Sequence, residues 1–412
     1  MMSTRHWNKG ANNENIQEMN RSLVLRLLFE MQICSRADLA RASGLKQATI
    51  TNIVNDLIEW GIIEECGLIS GGRGRRSIGL KLSGKHYLAI GVKLSRTRIS
   101  VGLFDILGNE YKVLEKDNDA LSSPEDVLQT MIAMINEVMQ YSTDASKILG
   151  IGLALPGPFI SKEEKIILMT DFPGWEKISI REELESAFNL PIFTEHDGNA
   201  GVLAEWWFGN KTKGQGTMIY VAAGQGIGAG VVIDGSLYTG TLGTAGEIGH
   251  MSISFDGPTC QCGNKGCLEL YCSTTAMLKN AKNRLSEYPN TMLTESTDFE
   301  KMLKAVREND PLANQALQNA AYYLGFGLVG IINVFNPDHI VIGDDMALLG
   351  DRFLNIVKET ISQHMLSPLY NHISVELTSF RRDAALIGAA ALVTQQVLSV
   401  PSMVIKETQP TS

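Results

Sequence analysis

Glu247-Ile248-Gly249-His250, followed ten residues later by Cys260-Gln261-Cys262-Gly263-Asn264-Lys265-Gly266-Cys267-Leu268-Glu269, is the stretch on which the reading of this chain turns. Three thiols and one imidazole match a closed tetrahedral zinc site, and the glycines let so short a loop fold tightly about an ion. His250, Cys260, Cys262 and Cys267 would fill all four positions and leave none for water, so the expected Zn2+ is structural. Reduced buried thiols are the alternative; a cluster in a cytosolic chain favours metal. Cys272, five residues on, reads as a core cysteine. Glu247 and Glu269 flank the loop. A polyhydroxyl ligand needs such paired acceptors, because a buried hydroxyl without one is costly; solvated surface acids are the other reading.

Outward from this loop, Glu195-His196-Asp197-Gly198-Asn199 reads as a strand-to-helix junction. An acid there serves either as a general base toward a hydroxyl or as a helix cap, and capping by Asp197 is the commoner fate. The turn Gly224-Gln225-Gly226-Ile227-Gly228-Ala229-Gly230 has the amides to cradle a phosphate, which alone is weak evidence. Strand, turn and strand at 87–92 and 99–104 run into Asp105-Ile106-Leu107-Gly108. The same pattern at 218–223 and 227–233 runs into Asp234-Gly235, a weak internal duplication. Helical periodicity at 124–141, 180–188, 198–208, 313–333 and 383–397 alternates with apolar runs at 149–155 and 339–342. Such alternation predicts an α/β body of two lobes around a cleft, with ligands at the carboxyl ends of the strands.

The first 85 residues differ. They carry twelve Lys and Arg against eight Asp and Glu, whereas the whole chain of 412 residues has a net charge of −9. A basic head on an acidic body suits a small polyanion-binding module. Val24, Leu27, Leu28 and Met31 form a helical stripe. Ser35 and Asp38 have capping-box spacing, Leu39 and Ala42 supply the buried side of a short helix, and Gly44 ends it. A third helix carries Ile50, Val54, Leu57 and Ile58 inward and stops at Gly61. Helix, glycine turn and helix make a helix-turn-helix. On its outer face Gln47, Ala48, Thr51, Asn52 and Asn55 are short or amide side chains suited to base edges, and Lys46 suits a phosphate. Two short strands around Ser70-Gly71-Gly72-Arg73-Gly74-Arg75-Arg76 complete a winged helix-turn-helix, with Arg73, Arg75 and Arg76 toward phosphate or a narrow minor groove. The plain alternative is a small interaction domain with solvated arginines.

Hydrophobic content of 44% and charged content of 20% describe an ordinary soluble protein. No apolar run reaches membrane-span length, and the polar start, with Asn12, Asn13, Glu14 and Asn15, lacks a secretory h-region. The expectation is a cytoplasmic protein with no membrane insertion.

Taken in order, Gly224 to Gly230, Glu247 to His250, the cysteine spacing, Cys267-Leu268-Glu269 and Ala385-Leu386-Ile387-Gly388-Ala389-Ala390 resemble the ROK family of repressors, open reading frames and sugar kinases. The head ending in Gly72-Arg73-Gly74-Arg75 is similar to its repressor branch, which includes the N-acetylglucosamine, xylose and global glucose repressors. The resemblance implies a two-lobed, actin-like (ribonuclease H-like) sugar-kinase body. It maps hexose contacts onto Gly157, Thr170, Asp197, Glu247, His250 and Glu269, with Asp197 at the place of the kinase base. His250 would serve zinc and sugar, one ring nitrogen each. His196 stands where the kinases show Asn, as in repressors, and joins the sugar set.

Departures decide the expected function. The kinases open the first lobe with Asp-x-Gly-Gly-Thr, and this chain has Lys93-Leu94-Ser95-Arg96-Thr97. The late Gly-Gly is replaced by Gly343-Asp344-Asp345. Losing that Asp and those glycines removes most of the stabilisation on which phosphoryl transfer depends. A non-enzymatic regulator follows, with an operator DNA partner and a sugar or sugar-phosphate effector, acting as a homodimer or homotetramer. Its expected domains are 1–85, 86–200 completed by 380–400, and 201–379. An active ATP-dependent sugar kinase with an added head, and a regulator controlled by a protein partner, are the rivals.

Overall fold

The computed structural model describes residues 13–70, 76–117, 123–157, 159–160, 165–166, 178–209, 216–381 and 383–406. Thr170, Arg73, Arg75 and the glycines of the expected wing tip lie outside them.

The N-terminal module is α1 (Asn13–Met31), α2 (Arg36–Ser43), α3 (Gln47–Glu59) and an antiparallel ribbon of β1 (Ile63–Ser70) and β2 (Arg76–Leu82). Ser35 and Asp38 form the expected capping box, and Gly44 ends α2 in the left-handed region at φ 71°. Val24, Leu25, Leu28, Leu39, Ile50 and Leu57 build the module's core at full burial. Two expected core positions are instead exposed. Met31 is 40% accessible, because it is the last residue of α1, where the chain turns away at Gln32 with φ 61°. Ala42 lies in the last turn of α2, whose one fully buried side chain is Leu39. The helix α1 also begins well before its apolar stripe. Glu18, in its polar half, accepts the Ser402 N–H at 2.8 Å, a partner from the far end of the chain.

The body holds two five-stranded sheets. The first is built from β3 (Leu88–Leu94), β4 (Arg98–Asp105), β5 (Glu110–Asp117), β6 (Ile148–Leu155) and, after the short pair β7 (Phe159–Ile160) and β8 (Lys165–Ile166), β9 (Ile192–His196). The helix α4 (Pro124–Met139) follows β5, and α5 (Ile180–Phe188) precedes β9. The second sheet has β10 (Thr217–Ala223), β11 (Ile227–Ile233), β12 (Ser236–Leu237), β13 (His339–Gly343) and β14 (Ser374–Leu377). Strand orders are β5-β4-β3-β6-β9 and β12-β11-β10-β13-β14. Each is therefore a meander of three strands continued by two parallel ones, and the repeat read from the strand-turn-strand openings extends to whole sheets. All of β3 is buried, as a central strand covered on both faces requires, and the charged β5 closes one edge.

Between the sheets runs α6 (Asp197–Phe208). The second lobe adds α7 (Glu269–Cys272), α8 (Thr274–Asn283), α9 (Phe299–Arg307), α10 (Pro311–Phe335), α11 (Asp351–His364) and α12 (Ser367–Tyr370) before α13 (Ala384–Ser399) and α14 (Met403–Lys406). The helix α13 returns to the first sheet and lies backbone against backbone on it. A Cβ on Gly152 would sit 1.7 Å from the Ala389 carbonyl oxygen, so only glycine permits the approach. One apolar cluster is continuous from the module's core through Trp206 of α6 to Val397 and Leu398 of α13. Among the described residues no helix is long and apolar enough to cross a membrane.

Candidate functional site

A cleft of about 790 Å³ opens between the two sheets. Gly157, His196, Asp197, Glu247, His250 and Glu269 all line it, so six positions scattered over 113 residues of sequence share one wall system. The end of β9 delivers His196, buried at 6% exposure, and α6 starts on Asp197. Asp197 is thus the first helical residue and not the cap. Its carboxylate accepts the Gly198 N–H at 2.7 Å and stands 3.2 Å from His196 Nε2, which lies 4.0 Å from Glu247 Oε1. A side chain at Gly157 would put its Cβ 2.4 Å from His196 Nε2 and 2.9 Å from Glu247 Oε1, which leaves glycine as the residue that fits. Burial raises the Glu247 carboxyl above the usual range, with Asp197 and Glu269 adding to the rise and both histidines opposing it. A carboxyl held in this way can accept a hydrogen bond from a hydroxyl or, when protonated, donate one to it. Glu195, by contrast, turns inward. Its Oε1 accepts the His196 N–H at 2.9 Å and the Asn199 side-chain amide at 3.0 Å, so it holds the junction together.

The other end of the cleft is ionic. Lys93, on β3, is 6% exposed; its ammonium bonds Asp383 and lies 3.7 Å from Asp344 Oδ2. Burial lowers the Lys93 pKa, but Asp344, Asp383 and Asp197 outweigh it and hold the group charged. Asp344 adopts φ 61° and ψ −161°, a conformation that is essentially glycine's. Its carboxylate also lies against the glycine turn after β10: a Cβ on Gly224 would be 2.8 Å from Oδ2. The turn that has the amides for a phosphate therefore faces a carboxylate. Above it Gln225 Nε2 donates to Thr97 Oγ1 at 3.3 Å, a second tie between the lobes. The sequence alone marked Lys93, Asp344 and Asp345 as departures but did not single out Asp383. No local signal announces a partner 290 residues away.

The metal-type residues converge. The ligand atoms of His250, Cys260, Cys262 and Cys267 lie within 4.8 Å of one another. His250 Nδ1 is 3.7 Å from Cys260 Sγ, and Cys262 Sγ is 3.7 Å from Cys267 Sγ. Metal–sulfur bonds of about 2.3 Å make tetrahedral edges of roughly 3.8 Å, so the donor set fits a four-coordinate ion. Burial, together with the neighbouring thiols, pushes Cys267 up to about 12, a thiol that needs a cation beside it to ionise. Glu269 Oε1 lies 3.2 Å from Cys260 Sγ and 3.5 Å from His250 Nδ1, so metal loop and cleft share a wall. Cys272 is fully buried.

On the N-terminal module, Lys46, Gln47, Ala48 and Asn52 are exposed and Thr51 is half-buried, its hydroxyl donating to the Gln47 carbonyl at 2.9 Å. Lys46 caps α3 without a side-chain bond, which leaves its ammonium outward. Arg76, the first residue of β2 and opposite Ser70 at the outer end of the ribbon, is exposed. Arg36 holds this surface in register: it bonds Glu65 of β1 at 3.1 Å and Asn55 of α3 at 3.4 Å.

Comparison with known proteins matches residues 89–396 to the family described as the ROK family. The chain is 31% identical over 406 residues to the putative xylose repressor of Caldicellulosiruptor sp. (strain Rt8B.4), covering 96% of this chain and all of that one. It is 31% identical over 393 residues to the xylose repressor of Bacillus subtilis (strain 168), covering 94% and 98%. Among solved structures, a ROK family transcriptional regulator described as a homolog of the E. coli MLC protein superposes with a TM-score of 0.79 at 26% identity, covering 95% of this chain and 99% of that one. A ROK family glucokinase from Streptomyces griseus covers 74% of this chain and 98% of its own, with a TM-score of 0.67 at 24% identity, and shares the fold.

Proposed function

The chain belongs to the ROK family, and from that premise we propose that it is a cytoplasmic DNA-binding repressor of carbohydrate-metabolism genes that senses a sugar without phosphorylating it. The observation that carries this reading is the Lys93–Asp344–Asp383 cluster. It puts a cation and two acids where a sugar kinase needs room and positive potential for a triphosphate. The hydroxyl-binding end of the cleft keeps its carboxylates. Gly157, Thr170, His196, Asp197, Glu247, His250 and Glu269 hold the sugar. Zn2+ on His250, Cys260, Cys262 and Cys267 is structural and fixes the His250 ring for the ligand.

The module of residues 1–85 reads DNA through Gln47, Ala48, Thr51 and Asn52, with Lys46, Arg73, Arg75 and Arg76 on phosphates. Residues 86–200 with 380–400, and 201–379, are the two lobes. A palindromic operator calls for two modules about one DNA turn apart, hence a homodimer or a pair of dimers. Sugar shifts the equilibrium between DNA-competent and released forms only by its differential affinity for them. The test is a thermal-shift screen of the purified chain against D-xylose, D-glucose, N-acetyl-D-glucosamine and their 6-phosphates or, for xylose, its 5-phosphate. A sugar that raises the melting temperature of the wild type but not of Asp197→Ala supports the reading. Sugar-dependent ADP production from ATP by the wild type would overturn it in favour of a kinase.

A further inference from the structure

The helix α6 starts in the cleft and ends at the N-terminal module. Its first residue, Asp197, lines the cleft, and its last turn carries Trp206, Trp207 and Phe208. The Trp207 indole meets Phe29 of α1 edge to face, with ring centres 4.5 Å apart and planes at 71°. Twelve residues of helix span roughly 18 Å. One regular element therefore covers the distance from the ligand pocket to the DNA-binding module.

That element is gripped along its length. Residues Gly198 through Trp206 are buried without exception. A Cβ on Gly388 of α13 would fall 1.7 Å from the Ala200 carbonyl oxygen, and one on Gly201 would fall 2.2 Å from the Tyr220 ring. On the other side Gly198 abuts the backbone of Ala229, where a Cβ would be 2.9 Å from its carbonyl carbon. Interiors packed this closely do not compress, so a push at Asp197 displaces the helix as a piece. At the far end the constraint is looser. A groove of about 1250 Å³ lies between module and body beside the Phe29–Trp207 contact, lined by Met31, Ile33 and Lys81 from the module and by Leu107, Tyr111 and Phe208 from the body. The module has room on this side, while Glu18 and Trp60 keep their bonds to Ser402 and Tyr87 of the body. Trp207 Nε1 meets no acceptor among the described residues, so the ring contributes its surface and not a hydrogen bond.

We propose that α6 is a rigid strut and Trp207 its bearing, through which occupancy of the cleft at Asp197 re-aims α1 and the recognition helix behind it. The proposal rests on the sugar-sensing reading of the cleft, and Trp207 is a positioning residue that touches neither sugar nor DNA.

The test uses the full-length chain and a duplex selected by the wild type from a randomised pool. The effector is whichever sugar or sugar phosphate in the thermal-shift screen most raises the melting temperature. Saturating sugar is expected to weaken wild-type duplex binding about tenfold, and Trp207→Ala less than about twofold. Trp207→Ala is expected to keep wild-type affinity for sugar, and for the duplex in the absence of sugar. Phe29→Leu, which keeps apolar volume but removes the ring edge, blunts the response from the other side. Trp207→Phe restores it. A Trp207→Ala chain that releases the duplex as the wild type does overturns the strut alone. So does a Trp207→Phe chain as unresponsive as alanine. If Trp207→Ala proves too unstable to bind the duplex, Phe29→Leu decides, and a normal release by it refutes the proposal. Should none of the sugars and sugar phosphates in the thermal-shift screen bind the wild type, the sensing reading fails and the strut with it.

Discussion

Lys93 Nζ lies 3.7 Å from the Asp344 carboxylate and bonds Asp383 from the same position, so one buried ammonium joins the first sheet to the second and to the start of α13. An ion pair that deep is sensitive to the loss of either side. The ammonium is almost wholly out of water and the two carboxylates are largely so, and what remains after a deletion is a charge without its partner.

Lys93→Met is therefore expected to destabilise the chain by about 3–5 kcal/mol, since Asp344 and Asp383 then lose the ammonium that both carboxylates face. Adding Asp344→Gly should recover part of that loss. It removes one orphaned charge and also relieves a backbone conformation that costs a non-glycine residue about 1–3 kcal/mol. Urea unfolding of the two single variants and the double variant reads the coupling.

Asp344 also sets a pH dependence. Burial raises its carboxyl to about 7, with Lys93 opposing and Asp383, Asp345 and Asp197 adding to the rise. Between the ordinary carboxylate value of 3.8 and about 7, the folded chain holds a proton that the unfolded chain has released. The stabilisation is complete below that window and is lost as pH rises through it. Asp344→Asn cannot titrate. Between about pH 5 and about pH 7.5 the wild type should lose more of its urea midpoint than the variant does.

These partners show where the sequence was legible and where it was not. Ser35 and Asp38 are three residues apart and Cys260 and Cys262 two, so cap and metal loop follow from local spacing. The apolar strands and the paired sheet openings announce themselves by composition. Lys93 is different. Read alone it is a damaged phosphate motif, because its acids stand in a loop after β13 and at the start of α13, and only the topology brings them to it. The first turns of α1 were invisible for a related reason: Glu18 is polar, and its tertiary partner is the backbone of Ser402. Asp197 reads as a cap because acids at such junctions usually are, yet the helix starts on it, with His196 in the cap position.

The metal loop should be filled in the purified protein. One zinc per chain is expected, and Cys262→Ser or a strong chelator should remove it. The melting temperature then falls on the order of 5 °C or more, because the binding free energy of a structural ion is folding free energy. Sugar affinity should fall with it, since Glu269 and His250 belong to both the loop and the cleft wall. Elemental analysis and a ligand titration of the stripped chain check both.

Base-edge and phosphate contacts separate by salt. Gln47→Ala should cost about 1–3 kcal/mol on the selected duplex and relax the preference at one base pair. Arg76→Ala should weaken all duplexes alike and reduce the slope of log affinity against log salt by about 1. Titrations at several salt concentrations distinguish the two.

The seating of α13 on Gly152 has a consequence for how this protein is made. Strands β3 and β6 are translated well before the helix whose carbonyls press on them, residues Ala384–Ser399. Until then that face of the first sheet has no cover and stays open to water or to chaperones. A premature stop codon anywhere before Ala384 thus yields more than a shortened tail. It yields a nascent lobe with an unshielded apolar side, which quality-control proteases recognise and clear.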